Sequence, residues 1–125
     1  MTRTAVTTNK IAPPVGPFSP AVIGGPLLYL SGQVAQDPET GKLIIGGVGP
    51  QTERIFQNVV SLLAAADKDL SNVVKVTVFL TDIAAFSEMN EIYGRYFEKP
   101  YPARTTVAVT ALPLGANVEL DIIAQ

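Results

Sequence analysis

Two periodicities alternate along this chain. Residues 3–8 (RTAVTT) are rich in Thr and Val and predict a short strand. Residues 11–26 carry five prolines and three glycines, which excludes a helix and predicts an ordered loop with an extended piece near Ala21–Ile23. LLYLSG at 27–32 predicts a strand ending in the small-residue pair Ser31-Gly32. DPETGK at 37–42 is turn chemistry, so a hairpin into Leu43–Ile45 is expected. GGVGP at 46–50 then breaks the chain.

From Gln51 to Asp67 the period becomes helical. Ile55, Val59, Leu62, Leu63 and Ala66 fall at i, i+4, i+7, i+8 and i+11 and form one apolar stripe. Thr52 or a neighbour is the expected cap. Residues 73–81 (VVKVTVFLT) are β-branched and aromatic, the pattern of a central buried strand. Phe86, Met89, Tyr93, Tyr96 and Phe97 space as a second amphipathic helix ended by Pro100, with Asn90 read as lying off this stripe. Residues 104–110 and 117–124 are the last two strands, joined by ALPLGA. The order β, β, β, α, β, α, β, β predicts a two-layer α+β domain with both helices on one face of a mixed or mostly antiparallel sheet. The other face then needs a cover as well, because 73–81 reads as apolar on both sides.

Length bounds this to one domain, residues 1–125, large enough to bury a core. Only 16% of residues are charged, against about 25% in ordinary soluble domains, so association with further copies is expected to cover part of the surface. The net charge is −2 and no Lys/Arg cluster occurs, which disfavours nucleic acid and anionic membrane surfaces as partners. There is no Cys, His or Trp. Disulfides, thiol nucleophiles, the usual zinc sites and every triad with a His base are thereby excluded. Acid–base chemistry falls to carboxylates, Tyr, Lys, hydroxyls or bound water. The first ten residues lack the apolar segment of a secretory signal. The longest apolar runs, such as residues 59–66, are too short to span a bilayer. A cytoplasmic protein is expected.

Two charges sit where strands should be buried. Arg104 opens the run 104–110, and Glu119 lies within NVELDIIA. Such positions hold charges that are paired or in use. A guanidinium grips a planar carboxylate through two parallel hydrogen bonds, whereas a strand-end Arg reaching to water is the plain alternative. A half-buried carboxylate with a raised pKa can orient a water and move protons, whereas an ion pair within the sheet, with Arg104 itself, is the alternative for Glu119. If 104–110 and 117–124 form a hairpin, Arg104 lies opposite residue 123, and the two charges are roughly 13 Å apart along the strand.

GPFSPAV at 16–22, YLSGQVA at 29–35, FSEMNEIYGRYF at 86–97, PARTTVAV at 102–109 and VELDIIA at 118–124 closely resemble the RidA family, also called YjgF or reactive intermediate deaminase and formerly L-PSP endoribonuclease. The resemblance covers essentially the whole chain, in order. It implies a chorismate-mutase-like α+β fold and a homotrimer whose sheets line a central barrel, with clefts between subunits. It implies hydrolysis of 2-imino acids and their enamine tautomers to 2-keto acids and ammonia, with no cofactor and no metal. Carried onto this chain, it makes Arg104 and Glu119 catalytic. It makes Phe18, Ser31, Gly32, Asn90 and Thr106 substrate-binding, with backbone amides acting at Ser31-Gly32 and Asn90 reaching the cleft of the neighbouring subunit. Two positions depart from the pattern: Phe18 stands where many members have Tyr, and Thr106 where many have Cys. These leave the substrate's side-chain preference open, with Tyr29 and Tyr101 as candidates to replace the missing hydroxyl. A binder of small 2-keto acids that does not turn them over, an endoribonuclease and a chaperone-like role are the alternatives.

Overall fold

The computed structural model of the chain describes residues 2–125. Six strands, β1 (Thr4–Val6), β2 (Ala21–Gly24), β3 (Leu27–Gln33), β4 (Val73–Leu80), β5 (Ala103–Ala108) and β6 (Val118–Ala124), and two helices, α1 (Val48–Ala64) and α2 (Phe86–Tyr93), make up its regular elements. The strands form one sheet in the order β1-β2-β3-β6-β4-β5. The β4–β5 pair is parallel, bridged by α2, and every other pairing is antiparallel.

Alternation within the strands sets the two faces. Leu28, Leu30, Val76, Val78, Leu80, Val118, Leu120 and Ile122 pack with Ile55, Phe56, Val59, Leu62, Leu63 and Met89 in one core. Both helices therefore cover the same face, as the pattern predicts. Each such Leu, Ile or Phe contributes about 1.5–3 kcal/mol by burial. Phe56 is fully buried, stacked on Tyr96 at 4.4 Å and edge-on to Tyr93 and Phe97 at 5.7 and 5.6 Å. This aromatic cluster ties α2 to α1 and fixes where Tyr93 presents its ring.

The opposite face is mixed rather than apolar. From β4 it receives Lys75, Thr77 and Phe79, and from β6 Glu119, Asp121 and Ile123, all half-buried. The reading of 73–81 as apolar on both sides thus fails at Lys75 and Thr77, where Lys75 Nζ donates to Thr105 Oγ1 at 2.7 Å.

Several boundaries differ from expectation. Leu43–Ile45 is not a strand; one bridge, Gln36 to Leu43, is all that forms of the expected hairpin. Ala21–Gly24 instead pairs along its whole length with β3 and, through residues 21–23, with β1. Helix α1 begins at Val48, before the expected Gln51, with Pro50 in the first turn, where a missing N–H costs nothing. Its N-cap is Gly47 with no side-chain cap, and Thr52 is buried inside the helix. Helix α2 closes at Tyr93, and residues up to Tyr96 continue as turns. Asn90 proves to share the stripe: 86, 90, 93 and 97 are spaced i, i+4, i+7, i+11, and the Asn90 Oδ1 is buried. Among the described residues, no helix is long and apolar enough to cross a membrane.

The expected β5–β6 hairpin does not form either. Strand β4 lies between them, so Arg104 pairs across Val76 with Ile122, whereas Glu119 lines up with Phe79 and Val107. Ile122 and Glu119 are three residues apart, an odd step, so Arg104 and Glu119 lie on opposite faces of the sheet. Their Cα atoms are about 14 Å apart at ~4.8 Å between strands and ~3.3 Å per residue.

Candidate functional site

The site residues fall into two groups. The first gathers around a cleft of about 490 Å³ bordered by Phe18, Ser31, Gly32 and Glu119. Between Leu30 and Gln33, three steps along β3 match two along β6, a β-bulge centred on Ser31-Gly32. The bulge leaves room for the Glu119 side chain: a Cβ on Gly32 would stand 2.5 Å from Glu119 Oε2 and 2.9 Å from its Cδ. Glycine is required here for close approach. Burial, and secondarily the charge of Asp121, push the Glu119 carboxyl above its ordinary 4.5. Ser31 is already engaged: its hydroxyl donates to Ser19 O at 2.6 Å and its amide to Pro20 O at 2.9 Å. The Ser31 amide is thus paired within the chain, and the amide of Gly32 is the other candidate of the pair. Phe18 is half exposed at the rim. Neither Tyr29 nor Tyr101 borders this cleft within its own chain.

The second group lies on the helix side, at the edge strand β5. Arg104 and Thr106 are half-buried and alternate with exposed Ala103, Thr105 and Val107. The guanidinium carbon of Arg104 lies 4.6 Å from the Tyr93 ring centroid and 5.5 Å from that of Phe86. Cation–π attraction of this kind orients the group without consuming its N–H donors. Among the described residues Arg104 meets no carboxylate; the ion pair that does form is Arg95–Glu91 at 3.1 Å. Asn90 Oδ1 and the Tyr93 hydroxyl are buried without a hydrogen-bond partner among the described residues, a costly state for buried polar atoms.

One chain thus holds two groups of these residues that do not meet. Phe18, Ser31, Gly32 and Glu119 form one, and Arg104, Thr106 and Asn90 the other. A larger cleft, about 630 Å³, runs between the end of α1 and residues 95–102, but none of the predicted site residues borders it.

Some contributors escaped the sequence reading. Gln51, 2% exposed, donates from Nε2 to Asn117 Oδ1 and accepts from the Asn117 amide, both at 2.9 Å. This clamp fixes the start of β6, two residues before Glu119. Gln51 and Asn58 interrupt the stripe of α1 at i and i+7, a polar insertion that could have signalled it. Phe86 and Tyr93 read as core positions, and only the fold shows them seating Arg104.

The arrangement defines a two-layer α+β protein with an arginine seated on aromatic rings at a sheet edge and a half-buried glutamate at a bulge on the other face. Residues 8–125 match the model of the Endoribonuclease L-PSP family, and the chain belongs to that family. It is 41% identical over 122 residues to the human 2-iminobutanoate/2-iminopropanoate deaminase, covering 98% of this chain and 89% of that one. It is 45% identical over 126 residues to protein DfrA of Myxococcus xanthus, covering 99% and 96%. The crystal structure of RidA from the Antarctic bacterium Psychrobacter sp. PAMC 21119 matches with a TM-score of 0.93 at 40% identity, over 97% of this chain and 98% of that one.

Proposed function

We propose that this protein is a deaminase of 2-imino acids and their enamine tautomers, with each site completed between two copies of the chain in a homotrimer. The observation that carries this is Arg104: a guanidinium seated on two aromatic rings, free of any carboxylate, on an edge strand. Such a group suits the carboxylate of an imino acid. The nearest half-site on its own chain faces away, so the Glu119 it works with belongs to a neighbour. Relatives named as deaminases support the chemistry.

In the reaction, the carboxylate of the substrate docks on Arg104. The Glu119 carboxylate takes a proton from a water as its oxygen bonds to C2 of the imine, and passes that proton to the nitrogen. The resulting carbinolamine then collapses: Glu119 takes the hydroxyl proton and returns it to nitrogen, the C–N bond breaks, ammonia leaves and the C2 carbonyl forms. The balance is imino acid plus water giving keto acid plus ammonia. Imines hydrolyse unaided, so positioning and a desolvated carboxylate suffice.

The test is the lifetime of 2-iminobutanoate, generated in situ from threonine by a dehydratase and trapped with semicarbazide. The protein should outcompete the trap. If imine decay is unchanged, the deaminase reading is wrong. Binding without turnover is the second reading, favoured by the hydroxyl missing at Phe18 and the thiol missing at Thr106. It predicts thermal stabilisation by 2-keto acids with no effect on imine decay. RNA cleavage is disfavoured by a net charge of −2 and the absence of His.

A further inference from the structure

Resting on the deaminase reading, we propose that the Glu119 cleft selects imino acids with uncharged, apolar side chains larger than methyl, and that Leu114 is a residue setting this preference. Most of the wall this chain supplies is apolar: Ile11, Ala12, Pro14, Val15, Phe18 and Leu114 border it beside the polar Ser31, Gln33 and Gln36, and Glu119 is its one charged residue. Val15, Phe18 and Leu114 are 81%, 51% and 54% exposed. In the single chain three large exposed apolar side chains thus gather around one cleft instead of being scattered, the pattern of a surface kept for a ligand.

Leu114 carries the argument further. It adopts φ 60, ψ 15 in the turn Pro113–Gly115, the left-handed region where a Cβ crowds the backbone. Gly115 follows at φ 72. A glycine at 114 would make the same turn without strain. A leucine that is both strained and exposed adds nothing to the core. An outlier of this kind at a cleft points to use of the side chain itself. The Gln51–Asn117 clamp anchors the chain three residues further on. The neighbour's Arg104 is occupied by the substrate's own carboxylate, and the wall this chain supplies holds no further cation to offset Glu119, so a second carboxylate on the side chain is repelled.

The experiment uses an L-amino-acid oxidase to make the imino acids of leucine, phenylalanine, alanine and aspartate, with semicarbazide as trap. The leucine and phenylalanine imines should be hydrolysed with kcat/KM about tenfold or more above the alanine imine, and the aspartate imine most slowly of all. Leu114→Gly should lower the leucine-to-alanine ratio about tenfold while its melting temperature stays equal or rises. A merely structural Leu114 would lower the melting temperature and leave the ratio unmoved. Val15→Ser should move the ratio in the same direction. If all four imines decay faster with equal kcat/KM, or alanine's is preferred, the specificity inference fails while the deaminase reading stands. If none decays faster, the deaminase reading fails, and the inference is then judged by binding of 4-methyl-2-oxopentanoate against pyruvate. Tighter binding of the larger keto acid, weakened by Leu114→Gly, upholds the apolar selection; equal binding, or none, overturns it.

Discussion

Arg104→Ala should abolish imine hydrolysis with little change in the fold. Two charge-assisted hydrogen bonds, at about 1.5–3 kcal/mol each, translate into a loss of roughly 10²- to 10⁴-fold in kcat/KM. No ion pair within the chain is broken, because Arg104 has no acidic partner among the described residues. What the fold loses is the contact with the Phe86 and Tyr93 rings, worth about 1 kcal/mol. Arg104→Lys keeps the charge and loses the fork, so its activity should fall between the two. Trap competition and thermal melts on the same preparations check this. Full activity in the alanine variant would remove the carboxylate clamp from the account, and an unfolded variant would make Arg104 structural.

Glu119→Gln should separate activity from stability. General acid–base catalysis by a positioned carboxylate is worth about 10²- to 10⁴-fold, so kcat/KM should fall by that order. Stability should move the other way. Burial raises the folded-state pKa of Glu119 above 4.5, so the folded protein holds this proton more tightly than the unfolded chain does. The contribution to stability is complete below 4.5 and is lost as pH rises through the folded value. The glutamine variant has no such loss. Its melting temperature should therefore exceed that of the wild type at neutral pH, with the gap closing in acid. The acid limb of the wild-type kcat/KM profile should be missing from the residual activity of the variant. A variant less stable at neutral pH would mean that Glu119 holds a favourable partner.

The strands were legible wherever side chains alternate or β-branched residues run together. VELDIIA reads directly as a strand with Glu119 and Asp121 on one face, and the structure keeps that alternation. Leu43–Ile45 looked equally strand-like, but it follows a short turn and finds no partner beyond one bridge. Pro50 hid the start of α1, because proline inside a helical pattern reads as a boundary, although the first turn tolerates it. Arg104 and Glu119 could each be recognised as a charge out of place. Their relation could not. Period 2 fixes a residue's face within its own strand, but not the phase between strands. The short connection from 110 to 117 suggested a hairpin, whereas the parallel β4–β5 pair places β4 between the two. The cradle of Arg104 was hidden for a similar reason: at helical spacing Phe86 and Tyr93 look like any core stripe, and their second use depends on an edge strand that pairs alongside.

The central claim, that one site takes its arginine from one chain and its glutamate from another, is tested by mixing two inactive variants. Arg104→Ala and Glu119→Gln proteins are unfolded together in equal amounts, refolded, and assayed for 2-iminobutanoate hydrolysis. A site that draws on two chains pairs an intact Arg104 with an intact Glu119 in about a quarter of random assortments. The mixture should therefore recover about a quarter of wild-type activity, while either variant refolded alone stays inactive. A mixture as inactive as its components would contradict the account and place both residues' work within a single chain.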